Sequence, residues 1–228
     1  MPENLYNYDE QQPFAAAEFA ENPEPRCPCV LLLDTSGSMA GEPIEELNSG
    51  VRTFRSELLS DSLSLKRVEV AVVTFGPVRV VQDFTTADLF HVPSMNASGD
   101  TPLGAAVEKG LQLLKERKTV LRDNGIKLFR PWIFLITDGA PTDRWQHLAQ
   151  VIRAGEENKS YSFFALGVKN ADMNVLREIT VREPLQLRGI RFREFFLWLS
   201  ASLRSVSHSN PGDTVPIPDY KPYGWSEV

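Results

Sequence analysis

Five oxygen-bearing side chains, spread over three separate stretches of the sequence, could together bind a metal ion. The first stretch, D-T-S-G-S-M, follows a run of apolar residues and places Asp34, Ser36 and Ser38 at alternate positions. In an extended turn, residues at alternate positions face the same side. Thr101 lies in the second stretch, G-D-T-P-L-G, and Asp138 lies in the third, T-D-G-A-P-T-D.

All five candidate ligands bind through oxygen, which is the donor that hard cations prefer. The three stretches contain neither histidine nor cysteine, so zinc and copper are poor matches. We therefore expect Mg²⁺, with Mn²⁺ and Ca²⁺ as alternatives. Three of the donors are neutral hydroxyls, so the ion would stay electrophilic and keep a coordination position open for a carboxylate from another molecule. This pattern predicts binding and not catalysis.

Each stretch also has a plain explanation of its own. Asp-x-Ser-x-Ser occurs in loops because these residues turn and cap well. Thr101 fits the N-cap of a helix with Pro102 as its first residue, and Asp138 fits an ordinary turn. Only the joint placement of the three stretches favours a metal site. The neighbouring carboxylates Asp100 and Asp143 are interpreted as solvated loop residues, with an influence on the ion's field as the alternative.

Hydrophobic patterning predicts the elements that must position these residues. Apolar runs that end in a break predict strands at 29–33, 68–75, 132–136, 161–168 and 185–187. A short Gly-Pro turn after the second of these runs predicts an antiparallel edge strand at 78–81. Apolar residues at helical spacing predict helices at 44–58, 103–114, 145–152, 172–179 and 192–206.

The alternation of strands and helices predicts an α/β fold, a three-layer α/β/α sandwich with a mainly parallel central sheet and one antiparallel edge strand. In sheets of this kind, ligands bind at the carboxyl ends of the strands. Asp34 and Asp138 each follow a predicted strand, and Thr101 precedes a predicted helix. We therefore expect all five candidate ligands on one rim of the sheet.

One domain accounts for most of the 228 residues, of which 42% are hydrophobic. We place this domain at residues 27–206. Residues 1–26 are rich in acids, amides and prolines, which predicts an irregular or docked N-terminal arm. Residues 207–228 form a proline-rich C-terminal tail, either a strap over the domain or a segment that binds a partner. Trp198 lies outside the apolar stripe of the last helix and is a candidate for docking the tail.

Composition argues against several classes of function. The net charge of −6 argues against nucleic-acid binding, which requires clustered Lys and Arg. No apolar run reaches membrane-spanning length, and residues 1–26 have no apolar core of a secretory signal. Cys27 and Cys29 are too few and too close for a disulfide framework, and we interpret them as strand residues. These features favour a cytoplasmic protein that binds neither nucleic acid nor membrane.

The three oxygen-bearing stretches, in this order and at these separations, resemble the loops of the metal-ion-dependent adhesion site of von Willebrand factor A domains. The resemblance covers roughly residues 27–206. It implies a Rossmann-like fold and a metal held by Asp34, Ser36, Ser38, Thr101 and Asp138, with the two aspartates partly acting through water. It also implies that a protein partner supplies an acidic ligand to the metal.

Longer stretches resemble a narrower group, the TerY-like bacterial proteins of tellurite-resistance systems. They are R-C-P-C-V-L-L-L-D-T-S-G-S-M, F-R-P-W-I-F-L-I-T-D-G-A-P-T-D, and F-F-L-W-L-S-A-S-L followed by P-G-D-T-V-P-I-P. This resemblance implies an intracellular role in tellurite or chemical-stress resistance or in signalling. It also implies an association with a PP2C-type protein phosphatase and a serine/threonine kinase.

Two other functions could use the same residues. A metal-dependent phosphohydrolase of the Asp-x-Asp type needs a second acid two positions after the first, and Ser36 occupies that position. The sequence contains neither a P-loop nor a G-x-S-x-G motif. A cell-surface adhesin is the other alternative, and the features that favour a cytoplasmic protein count against it. We therefore expect a protein-interaction module without enzymatic activity.

Overall fold

The computed structural model describes residues 18–169 and 171–219, and the backbone of residues 226–227. Within this part of the chain, the strands are Cys27–Asp34 (β1), Val68–Phe75 (β2), Arg79–Thr86 (β3), Trp132–Thr137 (β4), Ser162–Val168 (β5), Leu185–Leu187 (β6) and Ser226–Glu227 (β7). They form one sheet in the order β3-β2-β1-β4-β5-β6-β7. The five central strands, β2, β1, β4, β5 and β6 in this order, are parallel to one another. The two edge strands, β3 and β7, are each antiparallel to the strand beside them.

Helices cover both faces of the sheet. They are Glu42–Leu59 (α1), Ser62–Arg67 (α2), Leu103–Asp123 (α3), Leu148–Glu157 (α4), Met173–Ile179 (α5) and Phe192–Ser207 (α6). The side chains of α1 and α6 share one apolar core with Leu31 and Leu33 of β1. Those of α3, α4 and α5 share a second core with Val30 and Leu32. Among the described residues, no helix combines the length and apolarity that crossing a membrane would require.

Strand β1 lies in the middle of the molecule because it is apolar on both faces. Successive residues of a strand point to opposite sides of the sheet, and every residue of β1 is buried. The same holds for β2 and β4, its two parallel neighbours. Continuous apolar runs of this kind are typical of parallel strands covered by helices on both faces. The predicted three-layer α/β/α sandwich with a mainly parallel sheet is therefore confirmed.

The predicted antiparallel edge strand is also confirmed, but it is longer than expected. β3 has eight residues, most of them exposed or half-buried, so no apolar run marks its true length. The tail adds a short antiparallel pairing at the opposite edge of the sheet. There, Gln186 pairs with Glu227 and Leu187 pairs with Ser226. Residues 82–86, which lie beyond the predicted edge strand, belong to β3.

Close contact between α1 and α6 fixes the helical layer on one face. A Cβ atom at Gly50 would lie 2.6 Å from Cδ2 of Phe196, so only a glycine permits this approach. The ring centroids of Phe54 and Phe196 are 5.6 Å apart. Phe195 of α6 meets Phe134 of β4 edge-on, with ring centroids 5.8 Å apart. The aromatic stripe of the last helix thus packs against the sheet, as its spacing predicted.

A buried ion-pair network ties residues 18–26 to the domain. Arg26 Nε donates to Glu69 Oε1 at 3.0 Å, and both side chains are fully buried. Arg117 of α3 donates to the same carboxylate, at 2.6 Å to Oε1 and 2.9 Å to Oε2. Arg117 also pairs with Glu18 at 2.6 Å, and the Phe19 ring lies beneath both guanidinium groups. Residues 1–17 of the predicted arm lie outside the described residues.

The described part of the tail lies against the domain. Trp198 Nε1 of α6 donates a hydrogen bond to the carbonyl oxygen of Pro218 at 2.8 Å. Trp198 is itself buried, with its ring edge-on to Phe134. The sequence pattern singled out this tryptophan for docking the tail, and the contact is the one expected. Residues 220–225 and 228 lie outside the described residues.

Candidate metal centre

The candidate ligands lie at the carboxyl ends of β1 and β4 and just before α3. β1 and β4 are neighbouring parallel strands, with Leu33 paired to Ile136. Asp34 and Thr137, the last residues of these strands, therefore emerge side by side at one rim of the sheet. Asp138 follows directly. The two loops that carry the carboxylates thus share one edge because their strands are adjacent in the sheet.

Asp34 is a fully buried carboxylate with a hydrogen-bond donor at each oxygen. Its Oδ1 accepts from the backbone N–H of Ser36 at 2.8 Å, and its Oδ2 accepts from the hydroxyl of Thr137 at 2.5 Å. Burial raises the pKa of Asp34 above its ordinary value, and the nearby charge of Asp138 adds to the rise. The hydrogen bonds from Ser36 and Thr137 oppose it. The carboxylate is therefore held in one orientation in a place that disfavours its negative charge.

The hydroxyls of Ser36 and Ser38 link the first loop to Asp138. Ser36 Oγ and Ser38 Oγ are 3.0 Å apart, and Ser38 Oγ donates to Asp138 Oδ1 at 2.7 Å. Asp34, Ser36 and Asp138 are buried, whereas Ser38 is exposed. The oxygens therefore run from the interior to the surface, and another molecule can reach the outer end.

Thr101 lies beside the same loops, next to Gly139. A Cβ atom placed on Gly139 would be 3.3 Å from Thr101 Oγ1 and 3.9 Å from Ser38 Oγ, so both hydroxyls flank one point. The Thr101 carbonyl accepts from the N–H of Thr142 at 2.9 Å, which joins the second loop to the third. Among the described residues, no group hydrogen-bonds the Thr101 hydroxyl, so its oxygen is free to bind a ligand.

The predicted helix-capping role of Thr101 is wrong. α3 begins at Leu103, and Pro102 occupies the N-cap without a side-chain cap. The cap comes from the third loop instead: Asp143 accepts from the N–H groups of Gly104 at 2.9 Å and Ala105 at 2.8 Å. Asp143 thus caps the N-terminus of α3, whereas the sequence analysis interpreted it as a solvated loop residue. Thr101 is left available for another role.

Two further residues hold the loops together. The N–H of Ser98 donates to the Thr35 carbonyl at 2.7 Å, and its hydroxyl donates to the Gly76 carbonyl at 2.9 Å. Gly76 has a φ of +129°, and a Cβ atom there would lie 2.7 Å from the backbone nitrogen of Ser36. Only glycine fits at this position. The first loop is therefore packed against the turn after β2 as well as against the second loop.

Sequence reasoning missed the roles that Thr137, Asp143 and Ser98 have in the structure. Thr137 reads as the last residue of an apolar strand, since threonine is a good strand former. Its hydroxyl meets Asp34 only because β1 and β4 are neighbours in the sheet, which no local pattern reveals. A carboxylate that precedes a helix by a few residues predicts a helix cap. Asp143 gives no such prediction, because it lies far along the chain from the first turn of α3.

The donor set fits a hard divalent cation. Within the described residues, no group of three or more His, Cys, Asp or Glu side chains is placed to hold a metal. An ion at this rim would therefore depend on the hydroxyls of Ser36, Ser38 and Thr101 as well as on the two aspartates. Mg²⁺, Mn²⁺ and Ca²⁺ all accept such oxygen ligands. Two carboxylates match the double charge of the ion.

The cysteines take no part in this site. Cys27 and Cys29 are buried at the start of β1, at the opposite end of the strand from Asp34. Burial raises the pKa of Cys27 to about 12 and raises that of Cys29 well above its ordinary value. Both are therefore protonated, inert core residues at neutral pH. This agrees with their interpretation as strand residues.

Comparison with protein families gives one clear result. The family model of the von Willebrand factor type A domain matches residues 29–193. The matched segment runs from β1 to the start of α6 and contains all five candidate ligands. A comparison with curated protein sequences gives no match.

Solved structures share the fold at low sequence identity. One is the pilus adhesin SpaC from Lactobacillus rhamnosus GG in its open conformation, with a TM-score of 0.63 and 14% identity. Another is proximal thread matrix protein 1 from the mussel byssus, crystal form 2, with a TM-score of 0.54 and 16% identity. Each alignment covers 79% of this chain, but only 30% of SpaC and 48% of the mussel protein. The chain thus spans less than half of the length of these proteins, and the likeness shows the fold.

Proposed function

The chain belongs to the von Willebrand factor type A domain family, and from this we propose that it is a metal-dependent protein-interaction module. Domains of this family commonly mediate protein–protein interaction or adhesion. In our proposal, the rim at the carboxyl ends of β1 and β4 captures an acidic side chain of a protein partner. The partner's carboxylate completes the coordination of a divalent ion.

The residues that would hold the ion are Asp34, Ser36, Ser38, Thr101 and Asp138. Mg²⁺ is the proposed ion, with Mn²⁺ and Ca²⁺ as alternatives. When bound, the ion supplies an electrophilic position that a carboxylate oxygen of the partner can occupy. The chain's own task is to fix the oxygens, and Thr137 and the Ser36 N–H do so at Asp34.

One observation carries the proposal. Ser38 Oγ lies within hydrogen-bond distance of both Ser36 Oγ and Asp138 Oδ1, so two loops distant in sequence bring their oxygens to one point. Asp34 supplies a buried negative charge behind that point, and Ser38 is exposed in front of it. A buried charge with an open approach is the arrangement that a cation-mediated contact requires.

We further propose that the module works in the cytoplasm, in a bacterial tellurite or chemical-stress system that includes a PP2C-type phosphatase and a serine/threonine kinase. The support is the resemblance to TerY-like proteins, which is carried by three stretches at β1, β4 and α6. Cell fractionation tests the location, since an adhesin of the same fold would be found at the cell surface. Co-purification with the phosphatase or the kinase would support the proposed system, and capture of neither would contradict it.

Affinity capture tests the interaction itself. The full chain is immobilised as wild type, Asp34→Ala and Ser38→Ala, with Ser56→Ala as a control at an exposed position on α1. We expect wild type and Ser56→Ala to retain a partner in Mg²⁺ and to release it in chelator. Both site variants should lose it. Capture that survives chelator and both site substitutions would contradict a metal-bridged contact.

A phosphohydrolase at the same site makes a different prediction. It requires Mg²⁺-dependent turnover of a generic phosphoester that is lost in Asp34→Ala. If the chain is an interaction module, wild type should show no phosphoester turnover under the conditions in which it captures a partner. Assaying both properties on the same preparations separates the two functions.

A further inference from the structure

A cavity of about 610 Å³ lies at the opposite end of the sheet from the metal centre. Trp132 and Ser162, the first residues of β4 and β5, form part of its lining. The final turns of α3 and the residues just after α4 form another wall, and the tail segment 209–217 closes one side. The family match ends at residue 193, so this tail wall lies outside the matched domain.

The lining side chains are strongly biased toward positive charge. Lys118, Arg122, Arg130 and Lys159 face this cavity, and Asp213 is the acidic residue in its wall. The whole chain carries a net charge of −6, so this concentration of cations runs against the overall balance. Asp213 is already engaged, because its Oδ2 accepts from the N–H of Asn210 at 2.9 Å.

Two of these cations have a hydrogen-bond or ion-pair partner among the described residues, and two have none. Arg130 Nη2 binds Glu156 Oε2 at 2.6 Å, and Lys118 Nζ donates to the Ser160 carbonyl at 3.0 Å. In the part of the chain that the structure describes, Arg122 and Lys159 have no ion pair and no side-chain hydrogen bond. Burial and the neighbouring Arg122 lower the pKa of Lys118. Lys118 and Arg122 are thus neighbouring cations on α3, and among the described residues no acidic side chain pairs with Arg122 or Lys159.

The remaining walls are apolar enough to contact an organic group. Val215 and Ile217 of the tail and Phe129 before β4 line the cavity. Ile217 is 39% exposed, so its side chain is available for contact. The cavity volume is in the range of about 300–1,000 Å³ that is typical of small-molecule sites. Apolar walls with a few convergent charged groups are the usual makeup of such sites.

We propose that this cavity binds a small organic anion, with its oxyanion group at Lys118, Arg122 and Lys159 and its apolar part against Val215 and Ile217. Phosphate and carboxylate groups share this chemistry, since both are oxyanions that Lys and Arg bind through charge-assisted hydrogen bonds. Because the tail forms one wall, a bound anion would also hold the tail against the domain. The site is independent of the metal centre.

Arg122 and Lys159 also lie at helix C-termini, where a cation can stabilise the helix without binding a ligand. α3 and α4 both end near the cavity, and cations near a helix C-terminus stabilise the helix. Arg122 lies in the last turn of α3. A purely structural role predicts that Arg122 and Lys159 affect stability but not the affinity for anions. Ligand affinity therefore separates the two roles.

The test is calorimetric titration of the full chain with phenyl phosphate, benzoate and inorganic phosphate. The variant is Arg122→Gln combined with Lys159→Gln. The matched control, Lys115→Gln combined with Arg153→Gln, removes the same charge from exposed positions of α3 and α4. We expect wild type and control to bind an aromatic anion more tightly than inorganic phosphate, and the cavity variant to bind it at least about tenfold more weakly.

The two aromatic ligands identify the preferred head group, and binding of either supports the proposal. Absence of binding of both at about 10 mM ligand, a concentration that detects even very weak affinity, overturns it. Equal affinity of the cavity variant and wild type for the aromatic anion also overturns the proposal, because Arg122 and Lys159 would then only stabilise the ends of their helices.

Discussion

At the scale of a single residue, Asp34 shows how a candidate metal ligand can conflict with the stability of the fold. Its carboxylate is fully buried, and burial raises its pKa, with Asp138 adding to the rise against the hydrogen bonds of Ser36 and Thr137. A buried charge without a countercharge destabilises the folded state. A divalent cation would supply that countercharge. Under the proposed function, a bound cation would therefore explain why a carboxylate is buried at this position.

The substitution Asp34→Asn should stabilise the metal-free protein. Asparagine keeps the size and an acceptor oxygen for the Ser36 N–H, and it removes the buried charge. We expect a higher free energy of unfolding than in wild type, measured by urea denaturation in chelator at neutral pH. Added Mg²⁺ should stabilise wild type by mass action and leave the variant unchanged.

The matched control for this substitution is Asp88→Asn, at an exposed carboxylate in the loop after β3. It should change stability by no more than about 0.5 kcal/mol in either condition. A lower stability of Asp34→Asn in chelator would contradict the view that the buried charge of Asp34 is costly to the fold.

At the scale of elements, the three loops that carry the candidate ligands depend on contacts between segments distant in sequence. Thr142 is hydrogen-bonded to Thr101, and Asp143 holds the first N–H groups of α3. The third loop therefore fixes where the second loop and its helix begin. Thr101 comes two residues before α3, so its hydroxyl is positioned by the same contacts.

Removal of the Asp143 carboxylate should loosen the start of α3. In Asp143→Ala, the N–H groups of Gly104 and Ala105 lose their acceptor, and the loss of a helix cap costs about 1–2 kcal/mol. We expect this loss in urea denaturation, together with weaker Mg²⁺ binding because Thr101 is no longer held. Asp123→Ala, at the other end of the same helix, is the control and should weaken neither property, because a negative charge at a helix C-terminus does not stabilise the helix. Unchanged Mg²⁺ affinity in Asp143→Ala would separate helix capping from the site.

Most helices and strands were predictable, because the hydrophobic patterns that indicate them are local in the sequence. The continuous apolar runs of β1, β2, β4 and β5 and the aromatic stripe of α6 identified these elements and the layer order. β3 was predicted too short because most of its side chains are exposed or half-buried. The joint position of the five candidate ligands on one rim followed from strand order, but metal binding by them stays a prediction.

The roles of Thr137 and Asp143 were not predictable from their sequence neighbourhoods. Thr137 meets Asp34 across two adjacent strands, and Asp143 meets α3 across two loops. Both contacts require the assembled sheet. A turn carboxylate such as Asp143 is usually solvated, so local reasoning favours the wrong interpretation until the partner N–H groups are located.

The whole molecule has two chemically distinct ends. The carboxyl end of the sheet carries buried carboxylates and hydroxyls, and the amino end carries the cationic cavity closed by the tail. Residues 18–26 are attached to the side of the domain by the buried pair of Arg26 and Glu69, which Arg117 extends. The segments that flank the domain are therefore parts of one folded unit in the described residues.

The buried ion pair should be one of the most sensitive points in the fold. Glu69→Gln leaves Arg26 buried without its countercharge, and breaking a buried pair costs about 3–5 kcal/mol. We expect a loss of this size in urea denaturation. Glu183→Gln breaks the exposed pair with Arg177, where Glu183 is 74% exposed, and is the control. Its cost should be below about 1 kcal/mol, and equal costs would contradict the structural role given to the buried pair.

The central claim is that Asp34, Ser36, Ser38, Thr101 and Asp138 bind a divalent cation, and calorimetric titration of Mg²⁺ tests it most directly. The experiment compares wild type with Ser38→Ala, which removes an exposed hydroxyl with little risk to the fold, and with Ser56→Ala as the control. We predict saturable binding of one ion by wild type and Ser56→Ala, and at least about tenfold weaker binding by Ser38→Ala. No binding to wild type, or equal binding by all three proteins, would contradict the claim.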